Sequence, residues 1–432
     1  MRAELARDRV DAGTYYYCFD GELIDGPSNP NFNEPTFVAE RAARHANIPG
    51  GFPETGAVQI RKKFFCMLLR QVACLGLRVE YGQHVESYEE EDTSKSVAGV
   101  VLADRSKRQA HVVIAADGIH SLSGEVMLGD HTAGMQPSGM SVYRAVFPVE
   151  HAFAGSELVR QRWQGRHTYE FWMGSGMHIG LYVSDEVAAL GITPRDEFLD
   201  PANAFANNES WDPQVSPDEV VAVMQRAMSG SGEGKNWHPV LEELVRTAPE
   251  GSIIHWPLFW RNLQRSWVSA TGRIVQIGDA AHSTVPASAA GGTLALEDAV
   301  TVAACLRRAG SADNIALGTR IYNILRYERS SCTQKMAFVN AQTLGHTTDW
   351  DELRKDPAKA RLRYPKWLFR HNPEVYVEEK WAAAVAYAIN GVDYHNTNIP
   401  PGHHFTHWTI EDISRQIAEG KRVEDLLDGD WS

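Results

Sequence analysis

Arg273-Ile274-Val275-Gln276-Ile277-Gly278-Asp279-Ala280-Ala281-His282, completed by Pro286 and Gly291-Gly292, is the stretch on which the reading of this chain turns. Residues 273–277 form a short apolar run of the kind buried on both faces of a parallel sheet. A carboxylate stands at its end, and a loop of small side chains follows. The chain then opens into Thr293–Arg307, where Leu294, Ala295, Ala299, Val302, Ala303 and Leu306 share one side of a helix. Small residues let backbone approach a ligand closely, and a helix N-terminus offers unpaired N–H groups and partial positive charge. These parts suit a flavin dinucleotide. Asp279 would accept hydrogen bonds from the ribityl hydroxyls, while Gly291, Gly292 and Thr293 face the pyrophosphate or the isoalloxazine oxygen. The competing reading is a tight strand–helix turn with a surface carboxylate, and the number of small residues in so short a loop argues against it.

The rest of the chain sets the frame. Its 432 residues are 43% hydrophobic and 22% charged, which fits a globular protein of two or three domains and excludes a disordered or low-complexity chain. Lys and Arg number 42 against 55 Asp and Glu, a formal charge of −13 that disfavours phosphate backbones as partners. Cys18, Cys66, Cys74, Cys305 and Cys332 are scattered without a CxxC pair and read as reduced thiols. His395, His403, His404 and His407 lie in a Pro-Gly loop without carboxylate or thiolate at ligand spacing, so no metal is expected. No apolar run approaches the roughly 20 residues of a membrane span. Met1–Asp11 is charged and lacks a signal-peptide core, which makes the cytoplasm the expected address.

The first 60 residues, rich in Gly, Pro, Asn and aromatics, read as short strands and loops with a helix near Thr36–His45. Lys62–Leu75 has helical spacing and ends at Gly76; Leu77–Tyr81 reads as a strand and Glu89–Asp92 as a solvated turn. Strands Ser96–Ala103 and Ala110–Ala115 follow, the second running into Ala116-Asp117-Gly118. Between Gly139 and Trp256 the period is near two, as in Ser141–Phe147, Glu170–Met173 and His178–Val183, with one helix at Asp218–Met228. This region reads as a separate sheet domain. Ala316–Leu344 is a second long helix with Arg320, Arg326, Glu328, Arg329 and Gln334 on its polar face. Short helices and Pro-containing loops fill the remainder, where Thr409–Asp412 reads as a capping box.

With these motifs in view, the chain resembles the FAD-dependent aromatic monooxygenases, the salicylate- and para-hydroxybenzoate-hydroxylase-like flavoproteins, and their fungal secondary-metabolite branch above all. Gly278–His282 with Leu296-Glu297-Asp298-Ala299 is similar to the family's second flavin motif. Ile114–Ser121 is similar to its DG motif, which implies that Asp117 serves FAD and the nicotinamide cofactor. Arg61, at the head of a helix, resembles the arginine that contacts the flavin nucleotide. Tyr143-Arg144-Ala145 and Trp172-Met173-Gly174, with His178 and Tyr182, resemble landmarks of the substrate sheet; Tyr327-Glu328-Arg329 and Asn396–Trp408 resemble the fungal branch.

The resemblance implies an α/β (α+β) fold: a Rossmann-like FAD-binding domain, N-terminally incomplete, with an inserted antiparallel β-sheet substrate domain and a helical C-terminal region. The expected spans are 1–124 and 257–345 for the FAD-binding domain, 125–256 for the substrate domain and 346–432 for the C-terminal region. The implied activity is hydroxylation of a small aromatic or polyketide by molecular oxygen, with FAD as cofactor and NADPH (or NADH) as reductant. Arg144 is the implied cation that keeps a phenol ionised, and Tyr182 the implied hydrogen-bond partner of the substrate oxygen.

Three features depart from the family. No strand–GxGxxG–helix unit precedes Arg61, so the sequence is expected to begin inside the family's first domain. Gly124 stands where the DG motif usually ends in Arg, and Ala289-Ala290-Gly291 replaces a Gly-Gln/Asn-Gly loop. The first departure leaves a second reading, a truncated, catalytically silent remnant of the fold acting as a binding protein. A halogenase shares the architecture, but this chain has no Trp-x-Trp-x-Ile-Pro segment.

Overall fold

Alternation of apolar and polar residues gives a strand one face for a core, and His178–Val183 with its neighbours obeys that rule. A computed structural model describes residues 2–10, 12–28, 39, 43, 58–90, 97–128, 134–200, 215–230, 236–345 and 350–431. Its elements begin with α1 (Arg2–Asp8), β1 (Gly13–Cys18), β2 (Leu23–Ser28), α2 (Arg61–Cys74), β3 (Val85–Glu90), β4 (Ala98–Leu102), β5 (Lys107–Ala110), β6 (Val113–Ala115) and α3 (Gly124–Leu128). There follow β7 (Gln136–Pro148), α4 (Val149–Gly155), α5 (Glu157–Trp163), β8 (Thr168–Gly174), β9 (Met177–Val183), β10 (Val187–Pro194), α6 (Pro217–Gly230), α7 (Pro239–Arg246) and β11 (Ile254–Trp260). The remainder comprises β12 (Ile274–Gln276), α8 (Asp279–His282), α9 (Gly291–Ala309), α10 (Ile315–Gly345), α11 (Trp350–Lys355), α12 (Lys366–Phe369), α13 (Pro373–Asn390) and α14 (Ile410–Ala418). Two compact units result, one of 1–78, 137–259 and 341–362, the other of 79–136, 260–340 and 363–432.

The first unit is built on a seven-stranded sheet in the order β11-β7-β10-β9-β8-β1-β2. Neighbours run antiparallel from β7 to β8, and β1 joins parallel to β8. One face carries Tyr143, Ala145, Leu190, Ile192, Ile179, Leu181 and Trp172, which pack with Val159, Trp163, Val220, Met224, Leu241 and Leu244 of α5, α6 and α7. Period-two strands thus meet period-3.6 helices across one apolar layer, which is why the alternation is so clean in this span.

In the second unit β12 and β6 pair in parallel, Ile274 opposite Val113 and Gln276 opposite Ala115, while β3, β4 and β5 form an antiparallel sheet. The long helices α9, α10 and α13 enclose Val302, Cys305, Ile321, Tyr322, Leu325 and Val377. Thr409 caps α14, its hydroxyl accepting from the Asp412 N–H at 3.1 Å. Among the described residues, no helix is long and apolar enough to cross a membrane.

Several local expectations need correction. Leu77–Tyr81 is irregular chain, and Leu77, Val79 and Tyr81 are exposed; no strand among the described residues pairs with it. Of the expected solvated turn Glu89–Asp92, Glu89 and Glu90 instead lie within β3, where the Glu90 carboxylate accepts from the Ser269 and Thr271 hydroxyls, while Glu91 and Asp92 lie outside the described residues. The run 110–115 is divided between two sheets, Ala110 ending β5 and Val113 starting β6. The polar face of α10 is largely interior, because Arg326 and Arg329, at 1% and 0% exposure, find buried carboxylates. The helix expected near 36–45 lies outside the described residues, apart from Ala39 and Ala43, which are helical.

Candidate active site

In the second unit, β12 ends at Gln276 and the chain turns at Gly278, whose φ of +59° belongs to the region side chains avoid. A Cβ there would meet the Cβ of Ala295 at 3.1 Å, so the turn and its closeness to α9 both require glycine. Asp279 follows with its carboxylate exposed and without a hydrogen-bond partner among the described residues. The Ser283 and Thr284 hydroxyls are buried and, among the described residues, unpartnered. Helix α9 starts at Gly291 with no side-chain cap and no acidic residue in its first turn, and a Cβ on Gly291 or Gly292 would meet open space. A free carboxylate, two orphan hydroxyls and an uncapped helix N-terminus make a donor and acceptor set that fits a flavin dinucleotide with its ribityl hydroxyls and phosphates.

Beneath this turn lies a sealed network of charge. Asp298 accepts from the Gly278 N–H at 2.9 Å and from Arg326 Nε at 2.7 Å, and lies 2.5 Å from His282 Nε2. Glu297 accepts from Arg326 at 2.6 Å and from Arg329 at 2.8 Å through both of its oxygens. Burial alone would push both carboxyls up. For Glu297 the charges of Arg329 and Arg326 outweigh it, and for Asp298 those of His282 and Arg326, so both are held below the ordinary carboxylate range. Arg329 also donates to the Trp367, Leu368 and Asn398 carbonyls, tying the C-terminal region to α9 and α10. The network therefore holds the Gly278 turn in place without itself facing a ligand.

The first unit presents a different surface. The sheet face opposite its helix-packed core carries one row of Arg144, Gly191, Gly180, Phe171 and Tyr16 across β7, β10, β9, β8 and β1. The adjacent row on the same face carries Val146, Ala189, Tyr182 and Tyr169. Gly180 and Gly191 sit side by side, and a Cβ on either would meet nothing nearer than 3.5 Å. Packing does not demand these glycines, which weaken a strand; they leave a low floor without side chains of its own, with the Phe171 ring alongside Gly180. At its edge the Arg144 guanidinium makes no hydrogen bond or ion pair among the described residues. Partial dehydration and the charge of Arg61 disfavour its cationic form, and Tyr169 partly offsets them; its side chain is still open to water, so the charge is kept at neutral pH.

Arg61 opens α2 as the first of three successive cations, Arg61-Lys62-Lys63, at the positive end of a helix with no acidic first turn. Lys63 is neutralised by Glu186 at 2.6 Å, while Arg61 and Lys62 have no ion-pair partner among the described residues. Arg61 and Lys62 are exposed, so their charges are open to an anion from solvent.

The sequence-derived candidates thus fall in two groups. Arg61, Arg144 and Tyr182 belong to the first unit, with Arg144 and Tyr182 on one sheet face; Asp279, Gly291, Gly292, Thr293 and Asp117 belong to the second. Asp117 is exposed at the end of β6, but its carboxylate already accepts from the Tyr88 hydroxyl at 2.7 Å. Tyr169 was not singled out from the sequence, although its place opposite Tyr182 follows from strand register. Of the histidines in the Pro-Gly loop, His403 pairs with Asp428 at 2.5 Å and His407 meets the Tyr327 hydroxyl at 2.9 Å.

Comparison with known proteins agrees with this geometry. Residues 53–319 match the model of an FAD binding domain family. The chain is 61% identical over 443 residues to the FAD-dependent monooxygenase nsrK of Aspergillus novofumigatus, covering 100% of this chain and 82% of that protein. It is 49% identical over 436 residues to the FAD-dependent monooxygenase AacuC of Aspergillus aculeatus, covering 99% and 81%. In fold it is similar to the crystal structure of FqzB, with a TM-score of 0.74 at 24% identity over 92% of this chain and 82% of that one. The chain belongs to the FAD-dependent monooxygenases.

Proposed function

We propose that this monooxygenase hydroxylates a small aromatic or polyketide substrate in secondary-metabolite biosynthesis, with NADPH (or NADH) as reductant. The span 125–256 serves as its substrate domain, flanked in sequence by the FAD-binding spans 1–124 and 257–345 and followed by the helical region 346–432. Bound FAD supplies the activation of oxygen. Asp279 accepts from the ribityl hydroxyls, the N–H groups of Gly291, Gly292 and Thr293 meet anionic or carbonyl oxygen, and Arg61 neutralises phosphate. Asp117, which is shared with Tyr88, contributes at the edge of β6. One oxygen atom enters the substrate, the other leaves as water, and the nicotinamide provides the two electrons.

The observation that carries the substrate reading is the unpaired Arg144 beside the bare floor of Gly180 and Gly191. A flat ring can lie on such a floor, and the guanidinium favours the ionised form of a phenol at its edge, making the ring electron-rich. Burial raises the Tyr182 hydroxyl above its ordinary pKa, so it stays protonated and donates to the substrate oxygen. Both side chains spring from strands whose opposite faces are locked in the core, which holds the backbone that carries them. The test is the visible absorption of 4-nitrophenol bound to the FAD-loaded enzyme. Wild type should bind the phenolate, and Arg144→Ala should weaken that binding by about ten- to a hundredfold, the worth of a charge-assisted hydrogen bond. Equal binding by both proteins would remove Arg144 from the site.

A further inference from the structure

On the same sheet face, one row beyond Gly180, stands His178, opposite Thr193 of β10 and Met173 of β8. It lies two residues from Gly180 and four from Tyr182 along β9, so the bare floor has an imidazole on one side and a phenol on the other. The His178 Nδ1 is buried and has no hydrogen-bond partner among the described residues. Such a nitrogen is costly to leave alone, and a chain gains stability by placing an apolar side chain there instead. Burial also depresses the imidazole to about 4, so the ring is neutral under physiological conditions, with one nitrogen free to accept. Two polar groups on one face, Arg144 and His178, therefore lack partners among the described residues, and they differ in chemistry: one prefers an anion, the other a neutral donor.

We propose that His178 is a specificity-determining residue, whose Nδ1 accepts a hydrogen bond from a second ring hydroxyl of the substrate. With Nε2 carrying the proton, the phenolate oxygen lies toward Arg144 and the additional hydroxyl donates to His178. The face then selects dihydroxylated over monohydroxylated arenes. Sites built to bond a hydroxyl discriminate strongly against analogues lacking it, because the buried partner is left unpaired. The inference rests on the reading of this face as the substrate surface.

The experiment measures dissociation constants of 3,5-dihydroxyacetophenone and 3-hydroxyacetophenone, which differ by one ring hydroxyl, on the FAD-loaded enzyme by quenching of tryptophan fluorescence. Wild type should prefer the dihydroxy compound by about five- to tenfold. His178→Leu should abolish the preference with the monohydroxy constant unchanged, and should melt no lower than wild type. His178→Asn, whose amide oxygen can accept, should retain part of the preference. A His178→Leu enzyme that keeps the preference, or that melts markedly lower because Nδ1 has a structural partner, overturns the proposal. Arg144→Ala should weaken both compounds alike. If it weakens neither, or if wild type binds neither compound, the sheet-face reading fails and this inference falls with it.

Discussion

Glu297, Asp298, Arg326 and Arg329 in one unit, and Arg61, Arg144 and His178 in the other, are both clusters of polar side chains on regular elements, yet the fold treats them oppositely. In the first cluster every charge is buried and answered, down to the Gly278 N–H that completes Asp298. In the second, two cations lack ion-pair partners and a buried nitrogen lacks a donor among the described residues. Saturated networks hold a backbone in one conformation, because breaking them abandons a charge in a dry interior. A buried unsatisfied atom such as the His178 Nδ1 weakens the isolated protein, whereas the exposed cations Arg61 and Arg144 are hydrated and cost the fold little. On the proposed reading, the first cluster shapes the site and the second meets what enters it.

Removing one member of the saturated set should produce the largest effect. Glu297→Ala leaves Arg326 and Arg329 with less than their counter-charge and should cost about 3–5 kcal/mol. The loss should register in hydrogen exchange of α9 and α10 while β7 to β10 stay protected; a mild, uniform loss would break the distinction. Next in size, Gly278→Ala combines a positive φ with the close contact to Ala295 and should cost about 1–3 kcal/mol, with weaker FAD retention as its signature. Full FAD retention by that variant would detach the turn from the cofactor. Arg144→Ala should be silent in stability, within about 0.5 kcal/mol, since an exposed side chain without partners leaves nothing behind. A large drop in its melting temperature would make Arg144 structural.

Acid sharpens the contrast more gently. The folded pKa of His178, about 4, is depressed from 6.5, so its contribution to stability is complete above pH 6.5 and fades as the pH falls toward 4. Glu297 and Asp298 are depressed from 4.5 and 3.8, so theirs persists through that window and is lost only below the ordinary carboxylate range. Hydrogen exchange followed from pH 7 to 4.5 should therefore loosen β9 before α9. His178→Leu should remove the early loosening, and simultaneous loss in both elements would contradict the assignment.

Much of this was legible in the sequence. The strand–turn–helix at 273–307 announces itself because backbone geometry and ligand approach act on residue type directly, and the period of 141–183 because the sheet has one apolar face. Long-range pairing was not legible. Arg326 and Arg329 look like surface cations on a polar stripe until Glu297 and Asp298 are brought against them. Glu90 looks solvated until Ser269 and Thr271 reach it. Leu77–Tyr81 has a strand's pattern without a pairing neighbour among the described residues, and a strand exists only through its partner. Tyr169 and Tyr182 become cross-strand neighbours only once register is known.

The central claim is that the turn after β12, with its free carboxylate and uncapped helix, receives FAD. Titration of the FAD-free protein with FAD, followed by flavin fluorescence, tests it most directly when wild type is set against Asp279→Asn. The account predicts saturable binding by wild type and about ten- to a hundredfold weaker binding by the variant, with unchanged melting of the FAD-free proteins. Equal affinity in the two proteins, or no uptake of FAD by wild type, would contradict it.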